Sequence, residues 1–138
     1  MEVKAKWNDG LSYESVGVNS GHSVVMDAGV KAGGEGKAPS PMEMLLHGVA
    51  GCMGIDINNF IRHRIDGVDS IEIHVDADQN EEFPKYFTDV AITVTAKGSI
   101  DGKHIKRAVE LSHEKYCSAI NSLKANSHVK VIYNGEEL

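Results

Sequence analysis

Two thiols, Cys52 and Cys117, are the residues of this 138-residue chain best suited to chemistry, and no other cysteine is present. A thiolate is both a nucleophile and a metal ligand, and it becomes available when its pKa is depressed or a cation lies nearby. The two stand 65 positions apart, so they form no Cys-x-x-Cys pair, and the seven histidines show no metal-ligand spacing. No metal and no cofactor is expected on that ground. Cys52 sits in Gly48-Val49-Ala50-Gly51-Cys52-Met53-Gly54. Each glycine there costs a helix about 1 kcal/mol relative to Ala, and marks either close packing or access for a ligand. Asp56, one helical turn after Cys52, works against a thiolate, because a carboxylate raises a neighbouring thiol's pKa. It reads equally as a residue paired in the core or as a site carboxylate. His113, four residues before Cys117, shares its helix face and lowers that thiol's pKa when protonated, although a solvent-facing histidine is the simpler reading. Lys115, Arg62 and Arg64 are cations that reach a thiol only through tertiary contact, and His47 reads as a satisfied core histidine. No Gly-x-Ser-x-Gly elbow occurs. The glycine-rich stretch 29–39 is no phosphate loop: Lys31 stands where glycine is needed and Ala38 where Ser or Thr is needed, so it reads as a flexible connector.

The elements that must carry these residues follow from pattern. Val3, Ala5 and Trp7 alternate with polar residues, and Asn8-Asp9-Gly10 supplies hairpin chemistry before a strand over 11–18 and another over 22–27. Ser40-Pro41-Met42-Glu43 is a capping box with Pro at the first helical position, and predicts a helix over 41–64. That helix is apolar or small almost all round to Ile57, which requires it to be buried by sheet, a second helix or a partner chain. Alternation at Ile71, Ile73, Val75 and Ala77, and again at Val90, Ile92, Val94 and Ala96, gives two strands with one face inward. A second helix runs from Asp101-Gly102 to about Leu123 with a stripe of Ile105, Ala108, Val109, Ser112, Tyr116, Ala119, Ile120 and Leu123. At ~100° per residue, Cys117 falls on the order of 120° from the stripe's centre, on its flank. A strand over 129–133 closes a β-β-β-α-β-β-α-β order, an α+β fold in a single domain, 1–138.

Composition narrows the function. Lys plus Arg total 14 against 20 Asp plus Glu, a net charge of −6, so no electrostatic footprint for nucleic acid exists. No stretch approaches the roughly 20 apolar residues of a spanning helix, and the first residues lack a secretory signal's apolar core. A cytoplasmic protein with two reduced thiols is the expectation.

Three segments together, Ala38-Pro39-Ser40-Pro41-Met42-Glu43-Met44-Leu45-Leu46, Gly51-Cys52 and Glu114-Lys115-Tyr116-Cys117-Ser118, resemble the OsmC/Ohr family of osmotically induced and organic-hydroperoxide-resistance proteins, most closely its short YhfA-type branch. The resemblance implies an intertwined homodimer with central helices buried between the two chains' sheets. It also implies a thiol peroxidase of organic hydroperoxides, with an apolar pocket at the dimer interface. Cys52 matches the peroxidatic cysteine and Cys117 the resolving one, and a cellular dithiol would reduce the resulting disulfide. The family's peroxidases carry a glutamate ten residues before the first cysteine, where this chain has Met42; Glu43 stands nine before and points about 180° from Cys52 on an ideal helix. They also carry an arginine in the N-terminal strands, whereas the first arginine here is Arg62. Those departures keep a second implication open, a non-catalytic protein that binds a small apolar ligand in the family pocket.

Overall fold

The computed structural model describes residues 1–138 and divides into two compact units, Met1–Leu46 and His47–Leu138. The first is a three-stranded antiparallel meander of β1 (Val3–Trp7), β2 (Ser12–Gly17) and β3 (Ser23–Asp27) in the order β1-β2-β3. Its first hairpin pairs Trp7 with Tyr13 and turns at Gly10, whose φ of 50° is the left-handed conformation that favours glycine. The indole N–H of Trp7 donates to the Gly10 carbonyl at 3.0 Å.

The stretch expected as a flexible connector is instead tied to one buried carboxylate. Asp27 Oδ2 accepts from the backbone N–H groups of Glu35 and Lys37 at 3.3 and 3.1 Å. A Cβ at Gly34 would fall 1.9 Å from the Ala28 carbonyl oxygen, so only glycine lets the backbone pass there. A chain carrying this many local backbone partners is a formed turn, which a count of glycines does not show.

Helix α1 (Pro41–Phe60) begins as the capping signal requires, the Ser40 hydroxyl accepting from the Glu43 N–H at 3.2 Å. It stops short of the expected 64. The chain tightens into a 3-10 turn at Arg62–Gly67, which keeps Ile61 in the core and feeds the next strand.

The second unit holds the core. Strands β4 (Val68–Gln79), β5 (Phe87–Gly98), β6 (Asn126–Tyr133) and β7 (Glu136–Glu137) form a sheet in the order β4-β5-β6-β7. β4 and β5 are antiparallel, and β6 runs parallel to β5 after a crossover through α2 (Gly102–Leu111). Alternation places Val90, Ile92, Val94 and Ala96 inward, and all four are buried. Val49, Met53 and Ile57 of α1 and Ile105, Ala108 and Val109 of α2 are buried as well. Each buried Val, Ile or Met among them stabilises the fold by about 1.5–3 kcal/mol relative to exposure. Within this unit α1 approaches β4, where Gly54 faces Ile73 with only 3.3 Å to spare for a Cβ. The expected order of major elements is thus present, with β7 and the short α3 (Ser118–Asn121) added.

Only one face of α1 is buried within the chain. Leu45, Ile55 and Phe60 are exposed on it, so the all-round apolar pattern is not consumed by this chain's own core.

The second helix is not continuous. After Leu111 the backbone widens into a π-helical turn at Ser112–Tyr116, with the Cys117 N–H donating to the Ser112 carbonyl at 2.7 Å. Cys117 itself is extended, at φ −68° and ψ 96°, before α3 starts. The wide turn inserts a residue into the helical count and rotates everything after it. Cys117 is therefore buried and Tyr116, expected on the stripe, is exposed, while Ile120, also expected there, stays buried. The flank position inferred for Cys117 is wrong for this reason: its side chain has no solvent exposure.

Candidate active site

Both thiols reach one place by different means. Cys52 lies three turns into α1, half-buried, beside the exposed Gly51. Gly48 and Gly51 have open space where a Cβ would stand, so these two glycines serve no close packing within the chain and leave bare backbone beside the thiol. Cys117 arrives through the π-turn and is fully buried, its sulfur 4.0 Å from the Val49 carbonyl oxygen, a weak contact. The two sulfurs and a carboxylate oxygen of Asp56 all lie within 4.8 Å of one another. A disulfide requires Cα atoms about 4.4–6.8 Å apart with sulfurs turned together, and here the two sulfurs are near neighbours. Both cysteines are reduced in the structure.

Asp56 is at once paired and in the site. The Ser112 hydroxyl donates to Asp56 Oδ2 at 2.8 Å, so the π-turn that delivers Cys117 also delivers the hydroxyl that orients the carboxylate. Ser112 was visible in the sequence only as a member of the helix stripe; no residue pattern marks a π-turn, and its role at the site was missed. Burial pushes the Cys117 thiol up to about 11, and the neighbouring Cys52 adds to the rise, while the N–H groups of Ile120 and Ala119 oppose it. Cys117 is therefore a neutral thiol at physiological pH.

The other candidates have other partners or exposed positions. The His113 ring shares a 2.8 Å hydrogen bond with the Ser127 hydroxyl, and Lys115 Nζ stands 5.3 Å over the Tyr116 ring. Arg62 donates to its neighbour His63, and Arg64 lies in the same 3-10 turn. His47, read as a core histidine, is exposed. Glu43 is exposed in the first turn of α1, in the other compact unit from the thiols. Phe60 and Tyr116 meet edge to face, ring centroids 5.1 Å apart, joining the end of α1 to the π-turn.

An α+β fold of two sheets, with two thiols from separate helical segments converging beside a carboxylate, defines a paired-thiol protein. The chain belongs to the OsmC-like protein family, whose model matches residues 34–132. Protein YhfA of Escherichia coli K12 is 36% identical over 120 residues, covering 86% of this chain and 85% of that protein. Among solved structures, an OsmC-like protein from Mycoplasma pneumoniae superposes with a TM-score of 0.75 at 17% identity, over 95% of this chain and 96% of the other. The organic hydroperoxide resistance protein OhrB of Bacillus subtilis superposes with a TM-score of 0.63 at 17% identity, over 96% of both. At such identity these two structures establish the fold. No helix is long and apolar enough to cross a membrane.

Proposed function

We propose that this protein is a cysteine-based peroxidase that reduces organic hydroperoxides in the cytoplasm, using Cys52 and Cys117 as a redox pair. The observation that carries the reading is the convergence of the only two thiols to within 4.8 Å although 65 residues separate them. The Cys52 thiolate attacks the peroxide oxygen, the O–O bond breaks, and the alcohol departs with a proton, leaving a sulfenic acid on Cys52. The Cys117 sulfur then bonds to the Cys52 sulfur, the S–O bond breaks, and the hydroxide leaves with the Cys117 proton as water. A cellular dithiol returns the disulfide to two thiols by exchange. Exposure supports the assignment of roles: Cys52 is half-buried and reachable, whereas Cys117 is enclosed and neutral, suited to resolving and not to first attack. Glu43 is retained as a candidate contributor from a partner chain, alongside its place in the helix cap.

The working unit in this reading is a homodimer, with residues 1–138 acting as one OsmC-like domain. The uncovered apolar side chains of α1, and Val3, Trp7, Val24 and Val25 of the first sheet, are the surface such a partner would cover. A specific observation favours a second reading, a binding protein without peroxidase activity: the third group beside the thiols is a carboxylate, where a thiolate would be helped by a cation. An apolar groove of ≈ 380 Å³ lined by Leu11, Tyr13, Met26 and Pro41 fits a small apolar ligand for that reading.

Stopped-flow mixing of the reduced protein with cumene hydroperoxide and with hydrogen peroxide decides between the two. The peroxidase reading expects fast loss of two thiols per chain with the organic peroxide. Thiol loss no faster than that of free cysteine supports the binding protein.

A further inference from the structure

We propose that the reduced thiol pair and Asp56 form a zinc site, with Cys52 Sγ, Cys117 Sγ and one Asp56 carboxylate oxygen as ligands and a water in the fourth position. The three donor atoms already lie within 4.8 Å of one another. Zinc bonds thiolate sulfur at about 2.3 Å and carboxylate oxygen at about 2.0–2.2 Å, which in a tetrahedron sets ligand atoms roughly 3.3–3.8 Å apart. Closing that difference takes about 1.5 Å at most, within reach of side-chain rotation. Cys52 and Asp56 are one helical turn apart on α1 and so form a two-point chelate on one face, to which the π-turn adds Cys117.

The chemistry of the donor set agrees. Two soft sulfurs and one oxygen suit zinc and not magnesium or calcium, which take oxygen ligands alone. The Ser112 hydroxyl, 2.8 Å from Asp56 Oδ2, holds the carboxylate as outer hydrogen bonds hold metal-ligating carboxylates elsewhere. Cys117 is enclosed while Cys52 and Asp56 are half-buried, which leaves one side open for the fourth ligand. A bound dication favours the thiolate and carboxylate forms of all three groups together. On binding, the two thiol protons pass to solvent and both sulfurs are engaged as thiolates. Zinc and the Cys52–Cys117 disulfide therefore exclude each other: the ion holds the pair reduced and blocks attack on any oxidant.

The inference stands on this geometry and is independent of peroxidase activity. The test is titration of the reduced full-length protein with zinc in competition with a chromophoric chelator, and with cobalt(II) as a spectroscopic substitute, peroxide absent throughout. One ion per chain is expected, with thiolate-to-cobalt charge-transfer absorption in the near ultraviolet. Cys52→Ser and Cys117→Ser should each abolish that absorption. Asp56→Asn should weaken zinc by at least the roughly 10–100-fold typical of losing an outer hydrogen bond to a ligand, and Ser112→Ala by about that range itself. If Cys117→Ser does not fold, Cys52→Ser at its half-buried position carries the test alone. Zinc uptake unchanged in Cys52→Ser, or no ion retained by the reduced wild type, overturns the proposal.

Discussion

The two compact units of this chain keep their apolar residues in opposite ways. From His47 onward, alternation in β5 and the buried stripes of α1 and α2 enclose a core in which Val49, Met53, Ile57, Val90, Val94, Ile105 and Val109 have no exposure at all. In Met1–Leu46 the only buried residues are Ser15 and Asp27, while Val3, Trp7, Leu11, Tyr13, Val24 and Val25 stand open to solvent. The first sheet is held by its ladders and by the Asp27 loop, not by a hydrophobic centre. Independent stability of a sheet needs three or more strands with a hydrophobic face, or packing against a helix, and the apolar side chains of this three-stranded sheet are exposed. One unit encloses its apolar residues, and the other carries them on its surface.

Mutations can break or sharpen this contrast. The largest effect is expected in the enclosed unit: Met53→Ala should cost about 2–5 kcal/mol in urea unfolding, the range for truncating a fully buried core residue. A cost below about 1 kcal/mol would mean that core is less tightly packed than its burial indicates. In the open unit the sensitive point is backbone. Gly34→Ala should cost about 1–3 kcal/mol, as forced overpacking does, because its Cβ meets the Ala28 carbonyl and the turn must shift. Truncating an exposed apolar residue there should act on association instead. In the proposed homodimer, Trp7→Ala should raise the dissociation constant about tenfold, equivalent to about 1.4 kcal/mol, with monomer unfolding nearly unchanged. Sedimentation showing a monomer at micromolar wild-type concentration would remove the dimer and leave the open sheet without that explanation.

The smallest effects are those of pH. Burial raises Cys117 to about 11, so the folded state holds its proton more tightly than the unfolded chain. The stability this contributes is complete below the ordinary thiol range and is lost as pH rises from there through about 11. Cys117→Ala should flatten that alkaline decline. Asp101 behaves oppositely: the Lys103 backbone N–H and ammonium hold its carboxyl below the usual value, so its contribution is present above the ordinary carboxylate range and fades as pH falls through the lowered value. Asp101→Ala should shift acid unfolding only slightly, because the group is fully exposed and solvent screens it.

Much of this fold could be read from local pattern. The Ser40 cap, the inward alternation of Val90 to Ala96 and the glycine turn at 8–10 each act within a few residues, and each is present. The ends of helices were less legible, since the 3-10 turn at 62–67 answers to tertiary packing of Ile61 and Gly67. The site was legible in its two cysteines and not in its construction. A π-turn has no residue signature, yet it buries Cys117, exposes Tyr116 and brings Ser112 to Asp56. Counting at 100° per residue fails at the one place where the helix departs from that angle.

The proposed redox pairing of Cys52 with Cys117 is tested by peptide mapping with mass spectrometry after one equivalent of cumene hydroperoxide is added to the reduced protein. A single intrachain Cys52–Cys117 disulfide is expected in wild type, a trappable sulfenic acid on Cys52 in Cys117→Ser, and no product in Cys52→Ser. Oxidation of Cys117 in Cys52→Ser, with Cys117→Ser inert, would reverse the two roles, and unmodified thiols in all three proteins would contradict the pairing itself.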